Sequence, residues 1–172
     1  VWMLMDWKKD YQNKIMTPEA AIALIKPGEG LVISEASTPD VLISTLAANK
    51  ERFKGNRVFN VINLSDMKLA HEDMKGHFEY STIFSSASVR EDINMCHAHH
   101  IPAHFHGVPG LLGDTVPCDV AVLAMTPPDS EGYCSLSLGV DYSIKAAKIA
   151  RLVIAECNDQ LPYTFGNSRI HV

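Results

Sequence analysis

Residues 125–141 combine turn-forming residues with several free polar groups. They read Met-Thr-Pro-Pro-Asp-Ser-Glu-Gly-Tyr-Cys-Ser-Leu-Ser-Leu-Gly-Val-Asp and continue the apolar run 119–125. The two prolines cannot donate to a β-ladder, and residues 129–132 have β-turn composition, so a strand should end here. Polar groups would then gather at a strand's carboxyl end, the edge at which open parallel sheets bind ligands. A surface hairpin, with residues 135–138 alternating polar and apolar, is equally compatible with the pattern.

Two serines and an arginine form a second candidate site for an anionic ligand. Ser85 and Ser86 follow a predicted strand, Ser81–Phe84, and precede a predicted helix, Ser88–Met95. A hydroxyl beside a helix amino terminus is suited to a carboxylate or a phosphate, and Arg90 could pair with the same charge. The alternative is ordinary capping of the helix by Ser86 or Ser88, with an exposed arginine that has no functional partner.

A group of histidines raises the question of a metal site. Imidazole nitrogens bind zinc, nickel and copper well, but the cluster lacks the paired spacing of structural zinc sites. A solvated loop is therefore the preferred interpretation, and no metal is expected. The residues concerned are Cys96, His97, His99, His100, His104 and His106.

Glu156 is the carboxylate best placed for chemistry, because it ends a predicted buried strand, Leu152–Glu156, at the same presumed edge. We expect it to accept hydrogen bonds from backbone groups or from Asn158, as polar groups at strand ends usually do. No catalytic residue is assigned within this chain.

The elements that would position these groups alternate between strands and helices. Strand, helix and strand with short connections form the βαβ unit of a parallel sheet, so we expect an α/β fold with an open, mostly parallel sheet and helices on both faces. Further predicted strands are 31–34, 58–62, 101–105 and a central 119–125, and a last strand begins at 170. Predicted helices cover 17–28, 38–54 capped by Thr38, and 141–151 capped by Asp141.

Composition limits the classes of partner. The 172 residues, 47% of them apolar, are enough for one core and a single domain, and the net charge of −5 without a basic run argues against nucleic acid. No apolar stretch approaches a bilayer span, so no membrane is expected. Four widely spaced cysteines suggest neither a disulfide framework nor a zinc knuckle, which favours a reducing cytoplasm.

The whole chain resembles the acetyl-CoA hydrolase/transferase family, which includes 4-hydroxybutyrate and butyrate:acetate CoA-transferases. The signature is Thr126-Pro-Pro-Asp129, then Gly132-Tyr133, Ser135-Leu136 and Val140-Asp141. The supporting segments, in the same order as in that family, are 7–14, 17–28, Ser85–Arg90 before Ile93-Asn94, and 153–158 before 161–166.

The resemblance implies that residues 1–172 are the amino-terminal half of a two-domain enzyme whose active site lies between two α/β domains. A glutamate of the absent carboxyl-terminal domain would form a glutamyl-CoA thioester, with coenzyme A as substrate and no cofactor. None of the nine glutamates here has the Gly-rich context of that nucleophile. Acyl-CoA, a short-chain carboxylate, the carboxyl-terminal domain and a second copy of the chain are the implied partners. The implied substrate-binding residues are Ser85, Ser86, Arg90, Pro127, Gly132, Tyr133, Ser135 and Asn158.

Three other functions stay open at this point. An acyl-CoA hydrolase of the same family would differ in admitting water to the thioester. A sugar-phosphate isomerase would need its own acid–base pair, and none stands out. A standalone ligand- or metal-binding regulatory module would not explain the Pro-Pro-Asp stretch. The chain begins with Val1 and ends on a β-branched segment, so we expect it to be part of a longer protein that is inactive without its second domain.

Overall fold

The computed structural model describes residues 7–172, which form an α/β domain with one large sheet. The helices are α1 Trp7–Lys14, α2 Pro18–Ile22, α3 Asp40–Ala48, α4 Arg90–Asn94, α5 Val108–Leu111 and α6 Ser143–Ile149. The strands are β1 Gly30–Ile33, β2 Asn56–Phe59, β3 Phe78–Thr82, β4 His99–His100, β5 Val120–Met125, β6 Tyr133–Ser135, β7 Leu152–Cys157 and β8 Arg169–His171. Short 3₁₀ helices cover Lys50–Arg52, Lys68–Ala70, Glu72–Met74 and Phe105–Gly107.

The six strands of the large sheet are all parallel and lie in the order β4-β3-β2-β1-β5-β7. The chain first builds outward from β1 to β4 and then returns to the other side of β1 to form β5 and β7. The direction of winding therefore reverses between β1 and β5. The predicted open parallel sheet is confirmed, and β6 and β8 form a separate antiparallel pair.

Two apolar cores lie on opposite faces of this sheet, because successive side chains of a strand point to opposite faces. Leu31 and Ile33 of β1 join the core built with α2 and α3, whereas Val32 joins the core built with α5 and α6. All six residues of β5 are buried, as its continuous apolar sequence predicts for a strand covered on both faces.

The prediction of a buried strand at Leu152–Glu156 is wrong with respect to burial. β7 lies at the edge of the sheet, only Ile154 of its six residues is buried, and Val153 is 39% exposed. An apolar β-branched sequence is compatible with an edge strand as well as with a central one. The local sequence does not determine the order of the strands, so it could not show that β7 is at the edge. The predicted strand 101–105 is also wrong, because β4 ends at His100 and Pro102 follows.

Several predicted helices are shorter than their sequence patterns suggest. α2 ends at Ile22, and Thr17 caps its start, with its Oγ1 accepting from the Ala20 N–H at 3.2 Å. Asp141 does not cap α6, whose N-cap residue is Tyr142. The α4 helix is a single turn, and neither Ser86 nor Ser88 caps it through its side chain.

Thr38 does not cap α3 either, because its hydroxyl lies 3.5 Å from that of Ser65. The cap comes from β7. Glu156 Oε2 accepts hydrogen bonds from the first free amides of α3, Val41 N–H at 3.0 Å and Leu42 N–H at 3.1 Å. The expected structural role of Glu156, accepting backbone hydrogen bonds at a strand end, is confirmed.

Replacing Glu156 with alanine should destabilise the domain by about 1 kcal/mol, because two helix amides lose their acceptor. Urea unfolding curves measure the change. Glu156→Gln keeps one carbonyl oxygen at this position and should therefore lose less stability than Glu156→Ala. The matched control is Glu79→Ala on the exposed side of β3. Equal midpoints for Glu156→Ala and Glu79→Ala would show that the cap contributes nothing.

Candidate functional site

The candidate site lies where the carboxyl ends of β1 and β5 meet, at the point of winding reversal. In open parallel sheets the loops diverge at such a point and leave a crevice for ligands. Ser34 joins the two strand ends. Its N–H donates to Val122 O at 3.0 Å, and its Oγ accepts from the Ala124 N–H at 3.1 Å and donates to Ser37 O at 2.9 Å.

The loop after β1, residues 34–39, packs directly against residues 136–141 of the signature stretch. Ser37 Oγ donates to Leu136 O at 3.5 Å. The closest approach is at Gly139, where a Cβ atom would lie 2.2 Å from Glu35 O. Only glycine permits this contact, so the two loops form one unit at the edge of the sheet.

Both loops contain a residue in the left-handed backbone region, which non-glycine residues rarely adopt. Ala36 has φ +58° and Ser137 has φ +57°. Each such residue costs on the order of 1 kcal/mol or more, and strained backbone of this kind is concentrated at functional sites. The strain therefore supports this pair of loops as a ligand site.

Buried oxygens without a hydrogen-bond partner provide independent support. Native proteins satisfy nearly all buried polar atoms, so each exception calls for an explanation. Within residues 7–172 four of the five such side-chain atoms lie on the segments that follow β1, β2 and β6; the fifth is on Ser143, at the start of α6. The four are Glu35 Oε2, Asn60 Oδ1, Asn63 Oδ1 and Ser137 Oγ.

Glu35 is the most unusual of the four, being a carboxyl group only 8% exposed. Burial, together with a hydrogen bond to the carboxyl of Asp141, raises the pKa of Glu35 to about 8. Asp141 itself accepts the N–H of its neighbour Tyr142. The phenol of Tyr142 is fully buried, donates to Ile33 O at 2.7 Å and accepts from the Val61 N–H at 3.3 Å, which connects the carboxyl end of β1 to the segment after β2.

The sequence interpretation missed Glu35, Asn60 and Asn63. A signal was present, because the run Ser34-Glu35-Ala36-Ser37-Thr38 places small and polar residues directly after a buried strand. The pairing of Glu35 with Asp141 was not visible, because these residues are far apart in sequence.

The predicted residues of the signature stretch lie on the chain segment that contacts the β1 loop, and their contacts are mainly internal. Ser135 is fully buried and connects two loops: its Oγ accepts from the N–H groups of Ser137 at 3.1 Å and Thr164 at 3.0 Å. Its own N–H donates to Thr126 Oγ1 at 2.9 Å. Ser135 therefore shapes the loop that follows β5.

Gly132, Tyr133 and Pro127 occupy the outer part of the same loop. Gly132 has φ +87°, and its α-carbon faces the ring of Trp7. The Tyr133 ring packs edge-on against His171, with centroids 4.9 Å apart, while the Arg169 guanidinium lies 5.1 Å from its centroid. Pro127 is exposed. The surface hairpin of the alternative interpretation does not form, because β6 pairs with β8.

Asn158 is exposed at the end of β7, and its N–H donates to Met125 O at 2.9 Å. Its Oδ1 accepts from the Gln160 N–H at 2.9 Å, and the hydrogen bonds accepted by Glu156 come from α3 instead of from Asn158. This backbone contact places Asn158 beside the start of the signature stretch.

The second predicted group is at the same edge of the sheet but two strands away, beyond β3. Ser86 and Ser88 hydroxyls are 2.8 Å apart, and Arg90 Nη2 donates to Ser85 O at 3.3 Å. The link to the crevice is Ser88 Oγ, which donates to Asn63 O at 3.0 Å. Asn63 thus connects this second group to the segment that follows β2.

A separate crevice of about 760 Å³ adjoins Ser88. Its walls carry Glu72, Asp73, Glu91 and the buried Asp92. Such an acidic surface repels an anionic acyl-CoA, so this crevice is not part of the candidate substrate site.

The histidines do not form a metal centre in the part of the chain that the structure describes: no three metal-binding side chains converge there. His104 and His106 stack with ring centroids 5.6 Å apart. All four cysteines are free thiols. From residue 7 onward, no helix has the length and apolar character needed to cross a membrane.

Comparison with known proteins identifies the family to which this fold and this signature stretch belong. The model of the acetyl-CoA hydrolase/transferase N-terminal domain matches residues 3–172. The chain belongs to this family. The 4-hydroxybutyrate coenzyme A transferase of Clostridium kluyveri is 34% identical over 170 residues, which are 98% of this chain and 40% of that protein. The succinyl-CoA:cyclohexane-1-carboxylate CoA transferase of Geobacter metallireducens is 33% identical, over 96% of this chain and 38% of the relative.

Solved structures of the family superpose on nearly the whole chain. RipA from Yersinia pestis has a TM-score of 0.89 at 28% identity. The match covers 97% of this chain and 42% of the RipA chain. A 4-hydroxybutyrate CoA-transferase from Porphyromonas gingivalis has a TM-score of 0.79 at 27% identity. The match covers 96% of this chain and 38% of the transferase chain. The chain thus spans about two fifths of the length of the acetyl-CoA hydrolase/transferase relatives it matches.

Proposed function

We propose that this domain supplies one wall of the active site of a CoA-transferase, which moves CoA between an acyl-CoA and a short-chain carboxylate. The observation that carries the proposal is the contact between the β1 loop and the signature stretch at the reversal point of the sheet, around Gly139. Strained backbone and unsatisfied buried oxygens at that contact fit a surface completed by a ligand or by a second domain.

The nucleophile in this proposal comes from the carboxyl-terminal domain. A carboxylate that attacks a thioester must be unpaired and reach the substrate. In this chain, Glu156 is engaged by two helix amides, and burial raises the pKa of Glu35 to about 8, so that its carboxyl is mostly protonated at neutral pH. Neither is available as a nucleophile, which supports a glutamate of the second domain as the residue that forms the acyl anhydride and the glutamyl-CoA thioester.

The proposed contribution of this chain is to orient the acyl group and to exclude water. Ser135, Gly132, Tyr133, Pro127 and Asn158 would form the wall at β5 and β7. Ser85, Ser86 and Arg90 would approach the ligand from the β3 side, where Arg90 offers the positive charge that a carboxylate needs. A closed, dry cleft favours transfer to a carboxylate over hydrolysis.

The test compares the isolated chain with the full-length protein that contains it. Residues 1–172 alone should give no CoA transfer from butyryl-CoA to acetate, whereas the full-length protein should turn over with ping-pong kinetics. Borohydride should reduce the enzyme-bound thioester and inactivate the full-length protein only after incubation with acyl-CoA. Turnover by the isolated chain, or a full-length protein without acyl-CoA activity, would refute the proposal.

A hydrolase of the same family is the second candidate, and the same assay separates the two. Free CoA released at equal rates with and without acetate would favour the hydrolase. A cytoplasmic location and a homo-oligomer are further proposals. The four free thiols support the first, because oxidising compartments favour disulfides. The family resemblance alone supports the second.

A further inference from the structure

We propose that the carboxyl-terminal domain of the full-length protein docks on the carboxyl edge of the large sheet, with Phe165 and Leu138 as its apolar anchors. This inference rests on the proposed transferase function and adds to it the surface that holds the second domain. The exposure, the fixed backbone and the position of these two residues carry the argument.

Large apolar side chains are exposed on several of the loops at this edge. Leu64 follows β2, Phe84 follows β3, Leu138 follows β6 and Phe165 follows β7. Phe165 is 81% exposed and Leu64 is 78% exposed, the two highest values among the large apolar residues that the structure describes. Single exposed apolar side chains are ordinary in proteins, but several at one edge indicate a surface that another body covers.

The backbone around Phe165 is held by hydrogen bonds on both sides, so the exposed ring does not belong to a loose loop. Thr164 N–H donates to Ser135 Oγ at 3.0 Å, and Thr164 Oγ1 donates to Ser137 O at 3.0 Å. On the other side, Ser168 Oγ donates to Phe165 O at 3.2 Å. An aromatic side chain on a fixed backbone loses little conformational entropy when a partner covers it, which is typical of the residues that dominate binding energy.

The hydrogen bond between Thr164 and Ser137 also brings the two anchors together. Phe165 follows the donor in the sequence, and Leu138 follows the acceptor. The next residue, Gly139, makes the close contact with the β1 loop. The anchors therefore adjoin the contact that carries the proposed function.

The carboxyl-terminal domain is the partner that fits this position. The match to the Clostridium kluyveri transferase covers 40% of that protein, so more than half of the relative lies outside the matched region. The proposed glutamate of the second domain must reach the signature stretch, and Phe165 and Leu138 lie beside it. Interfaces between domains of one chain combine apolar anchors with a polar surround, as the serines and threonine provide here.

The experiment compares variants of the full-length protein by calorimetric melting and by kcat/KM for butyryl-CoA with acetate. Replacing a solvent-exposed side chain barely changes the stability of a domain, so a large effect reports a docked partner. Phe165→Ser and Leu138→Ser should each lower the first melting transition by roughly 5 °C and kcat/KM at least about tenfold. Phe165→Leu keeps an apolar side chain and should retain most of both properties. The matched control is Leu24→Ser, which changes an exposed leucine on the segment leading into the amino end of β1 and should alter neither property.

Three results would overturn the inference. Wild-type melting and kinetics in both serine variants would show that nothing docks on these side chains. Lower activity with unchanged melting would assign the side chains to the substrate instead. In analytical ultracentrifugation, a full-length dimer that Phe165→Ser converts to monomers would show that a second copy covers the surface. A wild-type protein without acyl-CoA activity, in which Phe165→Ser still lowers the melting transition, would refute the proposed function and support the docking surface.

Discussion

Gly139→Ala should lower kcat/KM of the full-length enzyme by at least about 100-fold, because it separates the two loops that form the site. The added methyl group would lie 2.2 Å from Glu35 O and 3.3 Å from Glu35 C, and both are backbone atoms that no rotamer change can move away. Overpacking against backbone also costs about 3 kcal/mol of stability. Steady-state kinetics and thermal melting measure the two effects.

The control for Gly139→Ala is Gly110→Ala. Gly110 lies in α5, and a Cβ atom there meets no other atom within 4 Å. Alanine also favours helix, so this variant should be at least as stable as wild type and fully active. If Gly139→Ala kept wild-type kinetics, the contact between the β1 loop and the signature stretch would not be part of the active site.

Gly30→Ala should lower the free energy of unfolding by about 3 kcal/mol. It should not change kcat of the molecules that remain folded. Gly30 begins β1 at the amino edge of the sheet, where a Cβ atom would lie 2.4 Å from both Cβ and O of Pro117. The clash would also displace the Gly30 N–H from Asp119 Oδ2, which it reaches at 2.8 Å. For a domain of this size the melting temperature should fall by roughly 10 °C.

The contrast between the two glycine variants tests which edge of the sheet carries function. Active-site titration of the folded fraction at low temperature should give a wild-type kcat for Gly30→Ala and a reduced one for Gly139→Ala. A reduced kcat in both variants would mean that the amino edge also contributes to the site, contrary to the placement of ligand sites in parallel sheets.

The sequence was sufficient for features that depend on local pattern. The buried strand β5 and the start of the helix after Thr17 are encoded within a few residues, and both are confirmed. The family signature is equally local. These features predicted the fold class and the buried strand that leads into the signature stretch.

Features that depend on contacts between residues far apart in the sequence could not be predicted. Glu156, and not Thr38, caps α3, because β7 is brought beside that helix only by the completed sheet. Glu35 gives no sign of being a neutral acid until Asp141 is placed beside it. The exposure of β7 follows from its position at the end of the strand order. In each case the feature is determined by residues that are close in the folded domain but distant in the sequence.

The long sequence separation between the contacting loops has a consequence for folding. Ser37 reaches Leu136 across 99 positions, and the Tyr142 hydroxyl reaches Ile33 O across 109. Closing loops of that length is entropically costly and slow relative to forming local turns and helices. A nascent or truncated chain that stops before Leu136 therefore has most of the sheet but lacks the contact between the two loops. The site exists only once the ends of the domain have been brought together.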